Sequence, residues 1–228
     1  MDWISFWDSK HAVYVNARHL SAHYRRIADD LLPYVPAGGS VLEYGCGEAL
    51  SHARIGTKAG RLILCDAAPG VRAALGERFS GNGTIEVRAP DELDALPAAS
   101  LDLVVMHSVA QYLTPAQLDT QLMLFRRLLK PDGLLVLGDI IPPNVSPITD
   151  ALALLRFGAH EGFFVATGFG LVRTLFSNYA RLRSTLGLTH YDERTIASKL
   201  AAAGFVGARA ATNVGHNSSR MTLLGRPA

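Results

Sequence analysis

Residues 41–49 read Val-Leu-Glu-Tyr-Gly-Cys-Gly-Glu-Ala, a short apolar strand that runs into a Gly-x-Gly turn. A second apolar run, Leu-Ile-Leu-Cys at 62–65, ends at Asp66, which lies 23 residues after Glu43. Glycine has no Cβ, so a ligand can come close to the backbone of such a turn. An acidic residue at the tip of the next strand can accept hydrogen bonds from both hydroxyls of a ribose. The pattern therefore predicts a nucleotide-type ligand site at the ends of the first two strands.

The composition is typical of a globular α/β protein. The chain has 228 residues, of which 49% are hydrophobic and 18% are charged, which predicts one domain with an appendage or at most two small domains. The formal net charge of +2 and the absence of a Lys/Arg cluster predict no nucleic-acid partner. Cys46 and Cys65 have neither metal-site nor disulfide-framework spacing, so we expect reduced thiols and a cytoplasmic protein.

No segment of the chain has the pattern of a membrane or export signal. The first ten residues contain Asp2 and Asp8 and have no apolar core, so no signal peptide is expected. The charge-free apolar stretch 162–172 has 11 residues, whereas a membrane-crossing helix needs about 18 or more. We therefore expect no membrane span.

From Gly38 onward, short apolar runs alternate with amphipathic segments. Five of these runs predict strands: 40–44, 61–65, 84–88, 101–106 and 134–138. One of the intervening helices is expected to open at Thr-Pro-Ala-Gln, residues 114–117, which combines an N-cap, a first-turn proline and a capping box. This alternation predicts a parallel sheet with helices on both faces.

Residues 1–37 predict an aromatic arm followed by an amphipathic helix, which together form a cap on the main domain. The apolar face of this helix is expected to contain Ala17, Leu20, Tyr24, Ile27 and Leu31. His19 and His23 have the i, i+4 spacing of a metal pair, but no third ligand accompanies them and they fall outside that face. We interpret them as solvated or hydrogen-bonded side chains and predict no metal site.

The strand–helix alternation stops at Pro142-Pro143 and resumes at Tyr191. Residues 144–188 predict two or three apolar and aromatic helices, a substrate cap over the carboxyl ends of the strands, where open α/β sheets bind ligands. A homodimer interface and a helical cap that packs only on itself are the alternatives. After a last helix, residues 205–211 and 220–224 predict an antiparallel strand pair.

Five motifs occur in an order that resembles the class I S-adenosylmethionine-dependent methyltransferases. They are motif I at 41–47, the acidic end of the second strand at 64–66, Leu-Asp-Leu-Val-Val-Met at 101–106, Leu-Leu-Lys-Pro-Asp-Gly-Leu-Leu at 128–135, and Ala-Gly-Phe at 203–205 before the terminal hairpin. The resemblance implies an α/β, Rossmann-like, doubly wound sheet of seven strands in the order 3-2-1-4-5-7-6, with strand 7 antiparallel and a helical insert after strand 5. Residues 38–228 would form this methyltransferase domain.

The resemblance also implies S-adenosylmethionine as the cofactor and S-adenosylhomocysteine as the product. Gly45 and Gly47 would admit the methionine end, Glu43 would order its ammonium group, and Asp66 would hold the ribose diol. The other residues expected around the cofactor are Cys46, Ala67, Pro90, Asp91, His107 and Ser108. Asp91 is preferred to Glu92 as the partner of the adenine amino group. The alternative roles are a strand-end cap for Glu43 and the N-cap of the next helix for Asp66.

The implied activity is methyl transfer to a small apolar or aromatic acceptor, with O- or N-methylation favoured. Residues after strand four face the methyl group in this topology. His107 is therefore the candidate general base, because imidazole titrates near neutral pH; the alternative is a histidine that lines the pocket or bonds to the backbone. The residues expected to bind the substrate are Gln111 and Tyr112 from this loop and Tyr14, Arg18 and Arg25 from the N-terminal region.

Two other functions fit parts of the same pattern. A dinucleotide-dependent oxidoreductase would also place Asp66 after a glycine turn, but its Gly-x-Gly-x-x-Gly motif needs glycine where this chain has Leu50. A methyltransferase-like domain can also act as a binding protein without catalysis. The residues of motif I favour the catalytic interpretation.

Overall fold

The computed structural model describes residues 2–9, 13–175 and 178–228, and it contains a seven-stranded mixed sheet. The strands are β1 (Ser40–Tyr44), β2 (Arg61–Cys65), β3 (Ile85–Arg88), β4 (Leu101–His107), β5 (Leu129–Ile140), β6 (Phe205–Arg209) and β7 (Met221–Pro227). Their order in the sheet is 3-2-1-4-5-7-6. β7 runs antiparallel to both β5 and β6, whereas β1 to β5 are parallel. The predicted fold class and strand order are confirmed.

Nine helices surround the sheet in the described part of the chain. They are α1 (Trp3–Trp7), α2 (Ala17–Leu31), α3 (Ala53–Lys58), α4 (Pro69–Arg78), α5 (Pro115–Leu128), α6 (Pro147–Glu161), α7 (Phe164–Leu175), α8 (Asn178–Leu186) and α9 (Glu193–Ala202). The start of α5 has the predicted form, since Thr114 and Gln117 make the reciprocal bonds of a capping box.

Helices cover both faces of the sheet because the central strands are apolar on both sides. Val41 of β1 packs in a core cluster with Ile27 of α2, Ile55 of α3 and Leu75 of α4. The neighbouring strand residues point the other way, into a cluster that contains Leu122 and Phe125 of α5 and Leu200 of α9. The helix α2 therefore shares a core with the sheet, and the division of the chain at residue 37 stays a prediction.

β5 is longer than its predicted extent of 134–138. Leu129 pairs with Leu101, and after a register shift Leu134 pairs with Leu103, so the strand begins before the predicted apolar run. Lys130 in this segment forms a 2.7 Å ion pair with Asp102. The predicted extent rested on a local apolar run, whereas the pairing that extends the strand is with a distant segment.

The insert contains three helices, α6, α7 and α8, and it packs against α2. Ala22 of α2 lies in one apolar cluster with Phe157 and Phe163 of the insert. His19, on the same side of α2, is only 4% exposed, and its ring stacks on Phe163 with 5.1 Å between centroids. His19 is therefore not solvated, but its Nδ1 accepts a hydrogen bond from the Val15 N–H at 3.2 Å, so the hydrogen-bonded interpretation is confirmed. The helix α2 buries a second face that the periodicity of its first apolar face does not indicate.

Candidate active site

The turn after β1 requires glycine for reasons that come from the protein itself. Gly45 and Gly47 have φ angles of +73° and +56°, which disfavour a side chain. A Cβ on Gly45 would lie 2.3 Å from Val109 Cγ2, and one on Gly47 would lie 2.5 Å from the Tyr24 hydroxyl oxygen. The two glycines are therefore needed for the turn and its packing, in addition to any approach of a ligand.

Asp66 joins the ends of the first two strands. Its Oδ2 accepts a hydrogen bond from the Gly47 N–H at 2.9 Å, and its Oδ1 accepts one from the Ala68 N–H at 2.9 Å. Burial raises the pKa of Asp66, and these backbone N–H groups act in the opposite direction. Because each carboxylate oxygen can accept a second hydrogen bond, the pair of oxygens at the cavity wall can still receive two hydroxyl donors. The bond to Ala68, the residue before α4, is not an N-cap of that helix, and it leaves room for the ligand role.

Glu43, at the end of β1, is paired with a histidine that sequence reasoning missed. His52 Nε2 lies 2.6 Å from Glu43 Oε2, in an orientation that falls short of a linear hydrogen bond. Both side chains are buried. Within the described residues, no donor contacts the other carboxylate oxygen, Oε1, and Glu43 forms part of the cavity wall. No local pattern marks His52, because it follows the turn by five residues without a periodic relation to β1.

Tyr24 on α2 supports the same turn from the N-terminal side. Its hydroxyl oxygen accepts a hydrogen bond from the Glu48 N–H at 2.8 Å, and its hydroxyl also bonds to Tyr14. Burial raises the pKa of Tyr14 to about 12 and raises that of Tyr24 well above its usual value. Both phenols are therefore neutral hydrogen-bonding groups. Tyr24 was predicted only as an apolar core residue.

The N-terminal arm lies against the opposite side of the site. Asp8, which follows α1, accepts a hydrogen bond from the Gly70 N–H in the first turn of α4. The ring of Trp3 lies 4.6 Å from that of Tyr112, and the ring of Trp7 lies 5.8 Å from it. The arm thus connects the loop after β4 with the helix after β2.

These elements enclose a cavity of about 2020 Å³ at the carboxyl ends of β1, β2, β4 and β5. Twelve of the predicted site residues form part of its wall: Tyr14, Glu43, Gly45, Cys46, Gly47, Asp66, Ala67, Pro90, His107, Ser108, Gln111 and Tyr112. Ligand pockets for one small molecule usually measure about 300–1,000 Å³. The cavity is therefore large enough for a cofactor and a second molecule.

Three predicted site residues are not brought to the cavity. Asp91 is exposed on the 3₁₀ helix Pro90–Ala95, and the alternative, Glu92, accepts a hydrogen bond from the Ala89 N–H at 2.6 Å. Arg18 is exposed and lies beside Gly162 at the end of α6. Arg25 forms an ion pair with Glu161. The arginines point outward because α2 turns its aromatic side, with Tyr24, toward the glycine turn.

His107 has a polar neighbour from the protein at each ring nitrogen. Nε2 lies 3.1 Å from the Val214 carbonyl oxygen, which can only accept, so Nε2 carries a proton. Nδ1 lies 3.2 Å from the Ser108 hydroxyl oxygen, but the single hydroxyl proton is donated to Asp139 at 2.6 Å, so it is not also donated to Nδ1. Only Nδ1 could therefore take a proton from a substrate. This geometry matches the backbone-bonded alternative, and catalysis by His107 stays a prediction.

Ser108 and Asp139 form a strained polar pair at the ends of β4 and β5. Their φ angles are +57° and +61°, a region that costs a residue with a Cβ about 1–3 kcal/mol. Arg220 forms ion pairs with Asp139 at 2.8 Å and with Asp150 of α6 at 3.1 Å. Burial would raise the pKa of Asp139, but Arg220, His107 and the Ser108 hydroxyl outweigh it and lower that pKa. The network ties the insert to the sheet through paired charges.

Buried histidines form the cavity wall between α2 and the insert. His216 stacks on Phe157 with 4.5 Å between ring centroids. Burial lowers the pKa of His19 and of His216 to about 4, and it lowers the pKa of His23 well below its usual value. These rings are therefore neutral near pH 7. Among the described residues, no three His, Cys, Asp or Glu side chains are grouped as metal ligands.

No helix in the ranges 2–9, 13–175 and 178–228 is both long enough and apolar enough to cross a bilayer.

One segment of the sequence is similar to a known protein family. Residues 42–137 match the sequence profile of the methyltransferase domain. This segment of the chain is similar to that family. Together with the strand order 3-2-1-4-5-7-6, this match confirms the resemblance to the class I S-adenosylmethionine-dependent methyltransferases. No curated protein matches the sequence significantly.

Solved structures with the same fold extend beyond the matched segment. DhpI in complex with S-adenosylhomocysteine is 14% identical and superposes with a TM-score of 0.62, covering 99% of this chain and 95% of that one. Magnesium protoporphyrin IX methyltransferase from Synechocystis PCC 6803, with bound S-adenosylhomocysteine, is 14% identical with a TM-score of 0.60, covering 94% and 89%. The N-methyltransferase NodS from Bradyrhizobium japonicum WM9, also with S-adenosylhomocysteine, is 20% identical with a TM-score of 0.56, covering 92% and 86%. At these identities the likeness shows that this chain shares their fold.

Proposed function

We propose that this protein transfers a methyl group from S-adenosylmethionine to a small acceptor, with O- or N-methylation favoured. The observation that carries the proposal is the meeting of Glu43, the Gly45–Gly47 turn and Asp66 at one wall of the large cavity. Glu43 Oε1 and the remaining lone pairs of Asp66 are acceptors without a full set of protein donors. An ammonium group and a ribose diol are donors of the matching kind.

Direct methyl transfer requires little covalent chemistry from the protein. S-adenosylmethionine, when bound, supplies an activated methyl group on a sulfonium, which a nucleophile can displace directly. The residues of this chain would bind and orient both reactants and exclude water. Glu43 would hold the ammonium, and Asp66 would hold the ribose. The arm and the insert would close the site. On the arm side, Trp3 of α1 contacts Tyr112 in the loop after β4, and Asp8 contacts the first turn of α4.

The walls favour a neutral acceptor with an apolar or aromatic body. Trp3, Trp7 and Tyr112 form one aromatic side of the cavity. The charged side chains on the insert side are already paired with each other, as in the Asp139–Arg220–Asp150 network. Gln111 and Tyr112 remain our candidates for contact with the acceptor, together with Tyr14. His107 would act as a base only through Nδ1.

Calorimetric titration with S-adenosylhomocysteine and with NADH tests the cofactor assignment. We expect binding of the first and none of the second. Asp66→Asn and Glu43→Gln should each weaken S-adenosylhomocysteine binding by roughly 1–3 kcal/mol, because a charged hydrogen-bond partner is lost. Asp94→Ala is the control, since Asp94 is an exposed acid outside the cavity.

Affinity for NADH alone would support the oxidoreductase alternative. Cofactor binding without transfer to any acceptor in a metabolite extract would support a non-catalytic binding protein.

A further inference from the structure

His52 is a buried polar residue that the proposed function leaves unexplained. It precedes α3, is 0% exposed, and has its backbone held by Ala49 and Gly56. Its Nε2 contacts Glu43 Oε2 at 2.6 Å. Neither ring nitrogen meets hydrogen-bond geometry with a partner among the described residues, so the link to Glu43 is an ion-pair contact. A buried polar atom without a partner costs free energy, and such atoms in folded proteins call for a specific explanation.

Stability alone does not explain the pair. A buried acid–histidine contact is often no better for folding than apolar side chains of the same volume, since both groups lose their hydration. The contact must therefore be judged by what it does to Glu43.

The contact determines which carboxylate oxygen of Glu43 is left for a ligand. Oε2 faces His52, while Oε1 has no donor among the described residues and Glu43 forms part of the cavity wall. A carboxylate that is already oriented loses less conformational freedom when it receives a donor, so binding is stronger. The ring of Tyr24 lies next to that of His52, with 6.3 Å between the two ring centroids.

We propose that His52 is a positioning residue that holds Glu43 Oε2 so that Oε1 receives the amino group of the cofactor's methionine moiety. The proposal rests on the proposed function, because it concerns the same cofactor. His52 should therefore affect binding of the amino acid end of the cofactor and leave binding of its adenosine end unchanged. The adenosine end contacts Asp66, which has no contact with His52.

Two probes separate this role from a general structural one. S-adenosylhomocysteine carries the amino acid moiety, whereas 5′-methylthioadenosine carries the same nucleoside without it. Both are titrated into the wild-type protein, His52→Leu and His52→Gln. His52→Leu should weaken binding of S-adenosylhomocysteine about five- to thirtyfold, the scale expected for a misplaced charged partner, and should change binding of 5′-methylthioadenosine less than about twofold. His52→Gln keeps an N–H donor and should recover most of the loss.

A second comparison is available if His52→Leu folds poorly. In a Glu43→Gln background, changing His52 to Gln should cause no further loss of S-adenosylhomocysteine binding, because the group it positions is already altered. Equal weakening of both probes, or unchanged binding of S-adenosylhomocysteine in His52→Leu, would overturn the positioning role. Absence of S-adenosylhomocysteine binding by the wild-type protein would instead refute the proposed function, and the inference with it.

Discussion

At the scale of single residues, the Gly47 amide is held between two distant parts of the chain. Its N–H donates to Asp66 at the end of β2, and the Tyr24 hydroxyl of α2 lies where a Gly47 side chain would be. The same hydroxyl accepts from the next backbone N–H, that of Glu48. The turn is thus shaped before any ligand arrives, which lowers the entropy cost of binding.

Gly47→Ala should destabilise the protein by roughly 2–4 kcal/mol. The alanine would keep the positive φ of Gly47, which is unfavourable for a residue with a Cβ, and this Cβ would collide with the Tyr24 hydroxyl. Tyr24→Phe alone should cost about 1–2 kcal/mol, because the Glu48 N–H loses its acceptor. Urea unfolding of both variants and of the double variant gives the coupling energy.

The double variant should be less destabilised than the sum of the two single variants by about 1 kcal/mol, since the collision is removed. Strict additivity would mean that the Tyr24 hydroxyl does not limit this position. Gly76→Ala is the matched control, because a Cβ on Gly76, in the middle of α4, would meet no atom within 4 Å.

At the scale of elements, the arm supplies a cap that α4 lacks. The residue before α4, Ala68, has no side chain that can cap the helix. Asp8 fills this role from 62 residues away, since its carboxylate accepts the Gly70 N–H in the first turn. A negative charge at this end also interacts favourably with the helix dipole. The arm therefore docks on α4 through an N-cap contact, which in most helices comes from the residue just before the helix.

Asp8→Ala should weaken the docking of the arm by about 0.5–2 kcal/mol, the usual value of an N-cap. Hydrogen exchange at the Gly70 amide should become faster, because its acceptor is lost. Limited proteolysis within the first 16 residues should also accelerate. Asp94→Ala, which alters an exposed acid elsewhere, should change neither rate. An unchanged Gly70 exchange rate in Asp8→Ala would show that the arm docks through its aromatic rings alone.

At the scale of the whole molecule, neutral histidines lie where α2 and the insert meet. His19 stacks on Phe163, and His216 stacks on Phe157, so both rings contact the insert directly. Because burial lowers their pKa to about 4, the unfolded chain binds more protons than the folded one between about pH 6.5 and pH 4. The insert is thus attached to the domain by contacts that require uncharged rings.

The free energy of unfolding should be highest above about pH 6.5 and should fall as the pH is lowered toward 4. Each histidine that must titrate can contribute up to about 1.4 kcal/mol per pH unit. Urea unfolding at pH 7, 5.5 and 4.5 measures this slope. His216→Phe keeps the ring stacked on Phe157 and removes one titrating group, so its slope should be shallower. Equal slopes would place the pH dependence in another group, such as His23, whose pKa burial also lowers.

Much of the fold could be predicted because its signals are local. Apolar runs, helical periodicity and the capping box at Thr114 specify elements within a few residues of chain. Parallel strands bring their carboxyl ends to one edge, so Glu43 and Asp66 were expected to lie near each other. Where local signals conflicted with distant pairing, the prediction was wrong, as at the start of β5, where Leu129 pairs with Leu101.

The sequence by itself determined the order of the elements and the acidic and glycine residues at the strand ends, and its resemblance to a known family implied the sheet topology. Only the tertiary structure decided what surrounds them. The contacts of Glu43 with His52, of Asp8 with Gly70, and of Tyr24 with the glycine turn join elements whose relative placement depends on packing. The same packing turned Arg18 and Arg25 outward and buried His19. Periodicity indicates that a helix has an apolar face, but the rotation of α2 against two neighbours determines which of its other side chains reach the cavity.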